Sequence, residues 1–336
     1  MGISSEEMDN SSEVSFHSSE LSFHSSEVSF HSSEELVHFL GGYFCFSTEL
    51  FDKCCTFDLG TSERTMESVR AKKYLGQHFL TDLGAAQRIA DSVADYLGTP
   101  ILEVGPGMGV LTQPLLEAGH DLQVIDIDHE SIEYLHQHFP QLSQEGRIIE
   151  GDFLKLPAEE LIPGRADTPF VVIGNYPYNI SSQIFFRILE LRERIPAVAG
   201  MLQHEVAQRL CASPGGRDYG ILSVLLQCWY DCDYLFKVSK RDFNPPPKVD
   251  GGVMIARRNG RTSLPCDEAN FKRVVKTAFG QRRKMLRNAL QPLFGKEFPY
   301  ADHDIFTLRA ERLSVEDFIG LTLMYEALPQ ENTATL

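Results

Sequence analysis

Residues 101–109 read Ile-Leu-Glu-Val-Gly-Pro-Gly-Met-Gly. A short apolar run of strand character stops at glycines in alternate positions, and a helical pattern opens at about Val110. Glycine in such a turn lets the backbone approach a ligand with no Cβ in the way. Many strands join helices through similar turns, so the meaning of this one rests on the strands after it. The next apolar run, Leu122–Asp128 (LQVIDID), ends in carboxylates about 20 residues past the glycines, where a Rossmann-like site sets an acid against ribose hydroxyls. Asp126 and Asp128 alternate onto one strand face, and spacing leaves both open. A further run, Arg147–Glu150, ends in Gly151-Asp152, whose acid can accept from an adenine amino group. Consecutive strands with ligand chemistry at their C-terminal ends describe a nucleoside crevice at the switch point of a parallel sheet. The turn lacks the Gly-Lys-Ser/Thr of a P-loop, and Val110 stands where the last glycine of GxGxxG would be, which favours a nucleoside over a phosphate-bound dinucleotide.

Outward from this turn, helical and strand periods alternate from residue 85, the signature of a parallel α/β sheet. Further strands are expected at Phe170–Ile173, Ala197–Leu202, Tyr234–Val238 and Gly252–Ala256, giving seven with the first three. After Arg257-Arg258-Asn259-Gly260-Arg261 the strand pattern stops, and Asp267–Leu328 reads as helix only. The expected fold is thus α/β, a Rossmann-like seven-stranded sheet over residues 66–262 with a small all-helical domain at 263–336.

The first 65 residues differ in kind. VSFHSSE, LSFHSSE and VSFHSSE come one after another at 14–34, and their apolar residues fall two and five apart, which gives no helical seam. Residues 1–65 hold 12 acids against 2 bases, so 10 of the 16 net negative charges lie there and the low isoelectric point says little about the rest. This segment reads as a disordered serine-rich, acidic leader, with Met66 as the expected natural start and full activity expected without the leader. The 7 cysteines make no CxxC pair and no metal-ligand spacing, which suits a reducing compartment and predicts no metal. Leu36–Phe46 is too short to span a bilayer and comes after Glu34-Glu35, where a signal peptide carries bases. A cytoplasmic protein away from membranes is expected.

The most informative octet is Gly174-Asn175-Tyr176-Pro177-Tyr178-Asn179-Ile180-Ser181, directly after a strand. Asn-x-Pro-Tyr in that place resembles the site of amino-directed methyltransferases that act on adenine. An exocyclic aromatic amine is a poor nucleophile because its lone pair is delocalised into the ring. The Asn175 side-chain oxygen and the Tyr176 carbonyl are expected to accept both amine hydrogens, Pro177 to stiffen the turn and Tyr178 to stack on the base. With a cationic leaving group on the methyl donor, orientation and electrostatics suffice and no strong base is needed. The base must first leave its stack, which an unpaired RNA loop allows.

With KKYLGQHFL at 72–80, LEVGPGMGVLT at 102–112, VIDID, GDF, GNYPYNISS, LQHEVAQRL at 202–210, YGILSVL at 219–225, FNPPPKVDGGV at 243–253 and FGQRRKMLRNAL at 279–290, the chain resembles the RsmA/KsgA family of ribosomal RNA adenine dimethyltransferases from Met66 to about Glu326. The resemblance implies S-adenosylmethionine as cofactor, held by His78, Leu80, Gly105, Asp126, Asp152 and Asn175, and favours Asp126 over Asp128. It implies dimethylation at N6 of two adjacent adenines in the 3′-terminal hairpin loop of small-subunit (16S) ribosomal RNA, a role in small-subunit biogenesis, immature small subunits as partner, and a monomer. His78 stands where the family usually has Asn, Asp126 where it has Glu and Tyr176 where Leu is commonest. A His makes the contact with the cofactor carboxylate depend on pH.

Phe271–Leu290 carries Lys272, Arg273, Lys276, Arg282, Arg283, Lys284 and Arg287 and no acid, a cation stripe suited to phosphates in an otherwise acidic chain. Arg282, Arg283, Lys284 and Arg287, with Lys72 and Lys73 beside the cofactor entrance and Arg70 near them, are the expected RNA contacts. Phe243 either stacks on the extruded adenine or belongs to the core. Competing readings are a large-subunit RNA adenine methyltransferase, against which the FGQRRKMLRNAL and FNPPPKVDGGV segments speak, and a non-catalytic assembly factor.

Overall fold

The computed structural model describes residues 69–72 and 75–329; the serine-rich repeats, Met66 and Lys73 lie outside the described residues. Its strands are β1 (Phe79–Leu80), β2 (Ile101–Val104), β3 (Leu122–Asp126), β4 (Ile148–Glu150), β5 (Val171–Asn175), β6 (Ala197–Gln203), β7 (Tyr230–Val238), β8 (Phe243–Asn244) and β9 (Gly251–Arg258). Seven of them form one sheet in the order β4-β3-β2-β5-β6-β9-β7, and β1 pairs with β8 in a separate ribbon. Within the large sheet only β9 runs against its neighbours, β6 and β7. From β2 the chain moves to β3 and β4 on one side and then returns to β5 on the other, so the strand order reverses between β2 and β5 and opens a crevice above their C-terminal ends.

The central strands are buried on both faces, which is why β5 reads as an apolar run and β2 is apolar but for Glu103, whose carboxyl is buried against Thr112. Period two still sorts their side chains. Ile101, Val171 and Ile173 join the core beneath helix α1 (Leu83–Asp91), while Leu102, Val104 and Val172 join the core on the other face. Asp82 caps α1 by accepting from the Ala85 N–H. Helices α2 (Thr112–Glu117), α3 (His129–His138) and α4 (Pro140–Gln144) succeed the strands of the first half. Helix α5 (Ser181–Glu190) leaves the asparagine turn and buries Ile184, Phe185, Ile188 and Leu189. Helices α6 (His204–Cys211) and α7 (Ile221–Gln227) link β6 to β7.

Beyond β9 come helices α8 (Glu268–Gly280), α9 (Leu286–Ala289), α10 (Gln291–Phe294) and α11 (Val315–Glu326) with short 3-10 turns. Asp267 caps α8 through the Asn270 N–H, and Phe271, Val274, Val275, Ala278 and Phe279 make its inner stripe. These residues share the apolar core of α5 and β5, so residue 262 marks a change of element type with no break in the core.

The strand expectations meet their counterparts with small shifts at the ends. Tyr230, Asp231, Cys232 and Asp233 belong to β7 although the sequence pattern starts it at Tyr234; this strand lies at the sheet edge, alternates buried and exposed, and carries a bulge between Tyr234 and Phe236. The β1–β8 ribbon was not foreseen, because two-residue strands leave no periodic trace.

Candidate active site

The crevice is a cavity of about 340 Å³, inside the range of roughly 300–1,000 Å³ typical of small-molecule sites. His78, Gly105, Asp126, Asp152, Asn175, Tyr176, Pro177 and Tyr178 all line it. Leu80 does not; it lines a smaller adjoining space of about 30 Å³ behind the glycine turn.

Gly107 sits at φ +55°, and a Cβ there would fall 2.8 Å from Phe79 Cε1, so both backbone conformation and space demand glycine. The glycine amides of the turn are already used. Gly105 N–H donates to the Ile125 carbonyl, Gly109 N–H to the Pro106 carbonyl, and Gly107 N–H to the Asp126 carboxylate at 3.3 Å. These three glycine amides are therefore not open to a phosphate.

The structure also separates the two acids that spacing could not. Asp126 closes β3, is 7% exposed and also accepts from the Asp128 N–H at 2.9 Å. Burial pushes its carboxyl up to about 6 against the pull of those amides. Asp128 is not on the strand: it is the N-cap of α3, accepts from Gln77 Nε2 at 2.9 Å and pairs with Lys72. Glu103, beneath the turn, is pushed up to about 8 by burial and accepts from the Thr112 hydroxyl at 2.7 Å. Asp152 accepts from the Leu154 N–H at 2.9 Å and pairs with Lys155 at 3.2 Å.

Across the crevice, the segment 75–80 packs over the asparagine turn. Asn175 Nδ2 donates to the His78 carbonyl at 3.0 Å, which fixes the amide and leaves Oδ1 as its accepting atom. His78 Nδ1 lies 2.8 Å from the Pro245 carbonyl; a carbonyl only accepts, so Nδ1 carries the hydrogen. The ribbon pairs Phe79 with Asn244 and Leu80 with Phe243. Tyr176 is 1% exposed, its hydroxyl donates to the Ala199 carbonyl at 2.7 Å, and Phe185 meets its ring edge-on with centroids 6.0 Å apart. Tyr178 lies with its ring centroid 5.7 Å from that of His78, and its buried hydroxyl has no hydrogen-bond partner among the described residues.

The expected RNA contacts divide. Arg283, Lys284 and Arg287 are exposed, as are Lys272, Arg273 and Lys276 on the outer face of α8. Lys72 is instead tied to Asp128 and, at 3.1 Å, to Glu130, so its ammonium anchors the segment before β1. Arg282 donates to the carbonyls of Gly216 and Arg217 and is engaged within the chain. Of the two readings of Phe243, the geometry matches the core one: it is 4% exposed and packs with Leu80 and Val238. Lys73 lies outside the described residues.

Sequence reasoning missed Gln77, Ile127 and Phe153 in the cavity wall. Ile127 had a signal, an apolar residue between two acids at a strand end, and it is 52% exposed there. Among the described residues no group of acids, cysteines and histidines is arranged to hold a metal ion.

Comparison with known proteins places the chain. The family model for ribosomal RNA adenine dimethylase matches residues 68–325. The chain is 59% identical over 259 residues to a ribosomal RNA small subunit methyltransferase A of Parabacteroides distasonis, an alignment that covers 77% of this chain and 95% of that protein. It is 58% identical over 261 residues to the protein of the same name from Porphyromonas gingivalis, with coverage of 78% and 100%. Among solved structures it resembles a dimethyladenosine transferase of Plasmodium falciparum in fold, with TM-score 0.61, 23% identity and coverage of 74% and 98%. The 23S rRNA methyltransferase ErmE gives TM-score 0.53 at 26% identity, with coverage of 74% and 99%. With its nucleoside crevice, its oriented asparagine and a match that runs from before β1 into α11, this chain belongs to the ribosomal RNA adenine dimethylase family.

Proposed function

We propose that the chain dimethylates N6 of adenines in small-subunit ribosomal RNA with S-adenosylmethionine, the target being two adjacent adenines of the 3′-terminal hairpin loop. The observation that carries the site assignment is the Asn175 amide, held by its nitrogen on the His78 carbonyl with its oxygen left to accept. Relatives at 58–59% identity are named for the small subunit, which outweighs the 26% likeness to a 23S rRNA enzyme.

The cavity fits the cofactor: a buried carboxylate at Asp126 for ribose hydroxyls, Asp152 for the adenine amine, Ile127 and Phe153 as apolar walls, and a glycine turn whose Gly105, Gly107 and Gly109 amides are engaged within the chain. His78, Gly105 and Asn175 complete the set, and Leu80 supports it from behind. When bound, the cofactor supplies an electrophilic methyl on a sulfonium. Asn175 Oδ1 accepts one N6 hydrogen and the Tyr176 carbonyl the other, which aims the nitrogen lone pair. Pro177 stiffens that turn and Tyr178 stacks on the base. Once methylated, the nitrogen is acidic enough to release its proton to water, so this chain needs to position and desolvate rather than to abstract. Arg283, Lys284 and Arg287 with the outer face of α8 take the RNA backbone, which makes 66–262 the catalytic part and 263–336 the RNA-binding part. No helix among the described residues is long and apolar enough to cross a membrane. With ribosomal RNA as substrate, the chain works as a monomer on immature small subunits in the cytoplasm.

Ribose hydroxyls donate to an ionised carboxylate, so cofactor binding needs Asp126 without its proton. Because burial holds that carboxyl at about 6 in the free protein, affinity for S-adenosylmethionine should be flat above that pH and fall about tenfold per unit below it. Titration calorimetry between pH 7.5 and 5 checks this. An equal fall in Asp126→Asn would assign the effect to another group.

The function itself is tested by transfer of labelled methyl from S-adenosylmethionine to unmethylated small subunits, with nucleoside analysis of the product. Dimethyladenosine is the expected product. Tight particle binding with no label would move the chain to an assembly role, and label on large-subunit RNA alone would move it to the other substrate.

A further inference from the structure

The loop 213–218 between α6 and α7, the turn after α8 and the 3-10 helix Ala310–Arg312 enclose a cleft of about 440 Å³, lined by Gly215, Gly216, Arg217, Arg282, Glu311 and Arg312. It shares no residue with the cofactor cavity. Its parts are fastened together. Gly215 N–H donates to the Glu311 carbonyl at 2.6 Å, Arg282 Nη2 donates to the carbonyls of Gly216 and Arg217, and Arg282 Nε lies 3.7 Å from Glu311 Oε2. The guanidiniums of Arg217 and Arg312, both exposed, have no acid or carbonyl partner among the described residues.

One of the three arginines is therefore spent on the frame and offset by Glu311, while two cations face an open cleft floored by glycine backbone. Gly215 has φ +94°, a backbone conformation that favours glycine, and Arg312 Nη1 lies 3.4 Å from where its Cβ would be, an ordinary contact distance. Asp218, next in the chain, pairs with neither arginine. Arg283 and Lys284, both exposed, follow Arg282 directly in the chain. Planar guanidiniums bind phosphate bidentately, and glycine lets a backbone phosphate approach closely. We propose that this cleft is a second RNA-backbone site, in which Arg217 and Arg312 hold phosphates and Arg282 holds the loop that presents them. This rests on the RNA-methyltransferase reading above, and it replaces Arg282 as a direct contact by two residues outside the basic run of the sequence.

The test is binding of the full chain to labelled protein-free small-subunit RNA, and to unmethylated small subunits, across a potassium chloride series. Arg217→Gln, Arg312→Gln and the double variant are compared. Each released phosphate contact lowers the slope of log affinity against log salt by about one. The expected result is a slope shallower by about two in the double variant, with the dissociation constant up on the order of tenfold at fixed salt. KM for RNA should rise while kcat, cofactor affinity and melting temperature stay put. Unchanged slope and affinity on both ligands would overturn the proposal. So would weakened binding to subunits alone, with free RNA unaffected, since the cleft would then meet a ribosomal protein. If the unaltered chain neither binds RNA nor transfers methyl, the parent reading falls and takes this one with it.

Discussion

Asn175→Ala should lower methyl transfer by about 10³-fold or more, with S-adenosylmethionine affinity changed by less than about tenfold. Removing one preorganised polar group aimed at the reacting atom typically costs about 10²–10³ in kcat, and here the same side chain does two jobs. Its oxygen is the proposed acceptor for the substrate amine; its nitrogen holds the His78 carbonyl. Alanine abandons both, leaving the amine free to rotate and the segment before β1 loosened over the site. Asn175→Asp separates the jobs. The carboxylate keeps an acceptor but turns its other oxygen against the His78 carbonyl, so an intermediate loss is expected, with the damage in positioning. Single-turnover transfer to unmethylated subunits, read with cofactor titration, distinguishes these outcomes. Retained kcat in Asn175→Ala would remove this residue from the chemistry.

Much of this site was legible in the sequence because its chemistry sits on short contiguous stretches at the ends of strongly apolar strands. The glycine turn, Asp126, Gly151-Asp152 and the asparagine octet each announce themselves by residue type, and parallel pairing brings them to one crevice whatever the loops do. What stayed hidden depends on long-range partners. Nothing local says that Asp128 would spend its carboxylate on a helix cap, Gln77 and Lys72, some 50 residues away in sequence. Likewise Lys72 and Arg282 look like phosphate contacts in a basic run until their acceptors are seen. Phe243 is similar: the sequence offered core or base stacking, and only its pairing with Leu80 in the β1–β8 ribbon shows which way it turns. Conversely, Arg217 and Arg312 attract no notice in the sequence, because each is single and has an acid next to it.

Gly200→Ala should be the most damaging single-methyl change for the fold. Gly200 pairs with Gly174 across β5 and β6, has φ +141°, and a Cβ would lie 2.1 Å from the Gly174 carbonyl oxygen and 2.9 Å from Tyr176 Cε2. The first clash is with backbone, so the strands must part; the second pushes on the ring whose hydroxyl is anchored on Ala199. Overpacking of about 1–3 kcal/mol and backbone strain of about 1–3 kcal/mol together suggest a loss of about 3–5 kcal/mol, or about 10 °C in melting temperature for a chain of this size. Because Tyr176 lies between Asn175 and Pro177, its displacement should also disorder the catalytic turn, so transfer falls in whatever protein remains folded. Combining the change with Tyr176→Leu tests the geometry. The smaller side chain relieves the ring clash and leaves the carbonyl clash, so the double variant should recover part of the melting temperature lost by Gly200→Ala, a coupling that independent sites would not show. A Gly200→Ala protein melting within about 2 °C of the parent, with full activity, would mean that the strands are not packed this closely beneath the site.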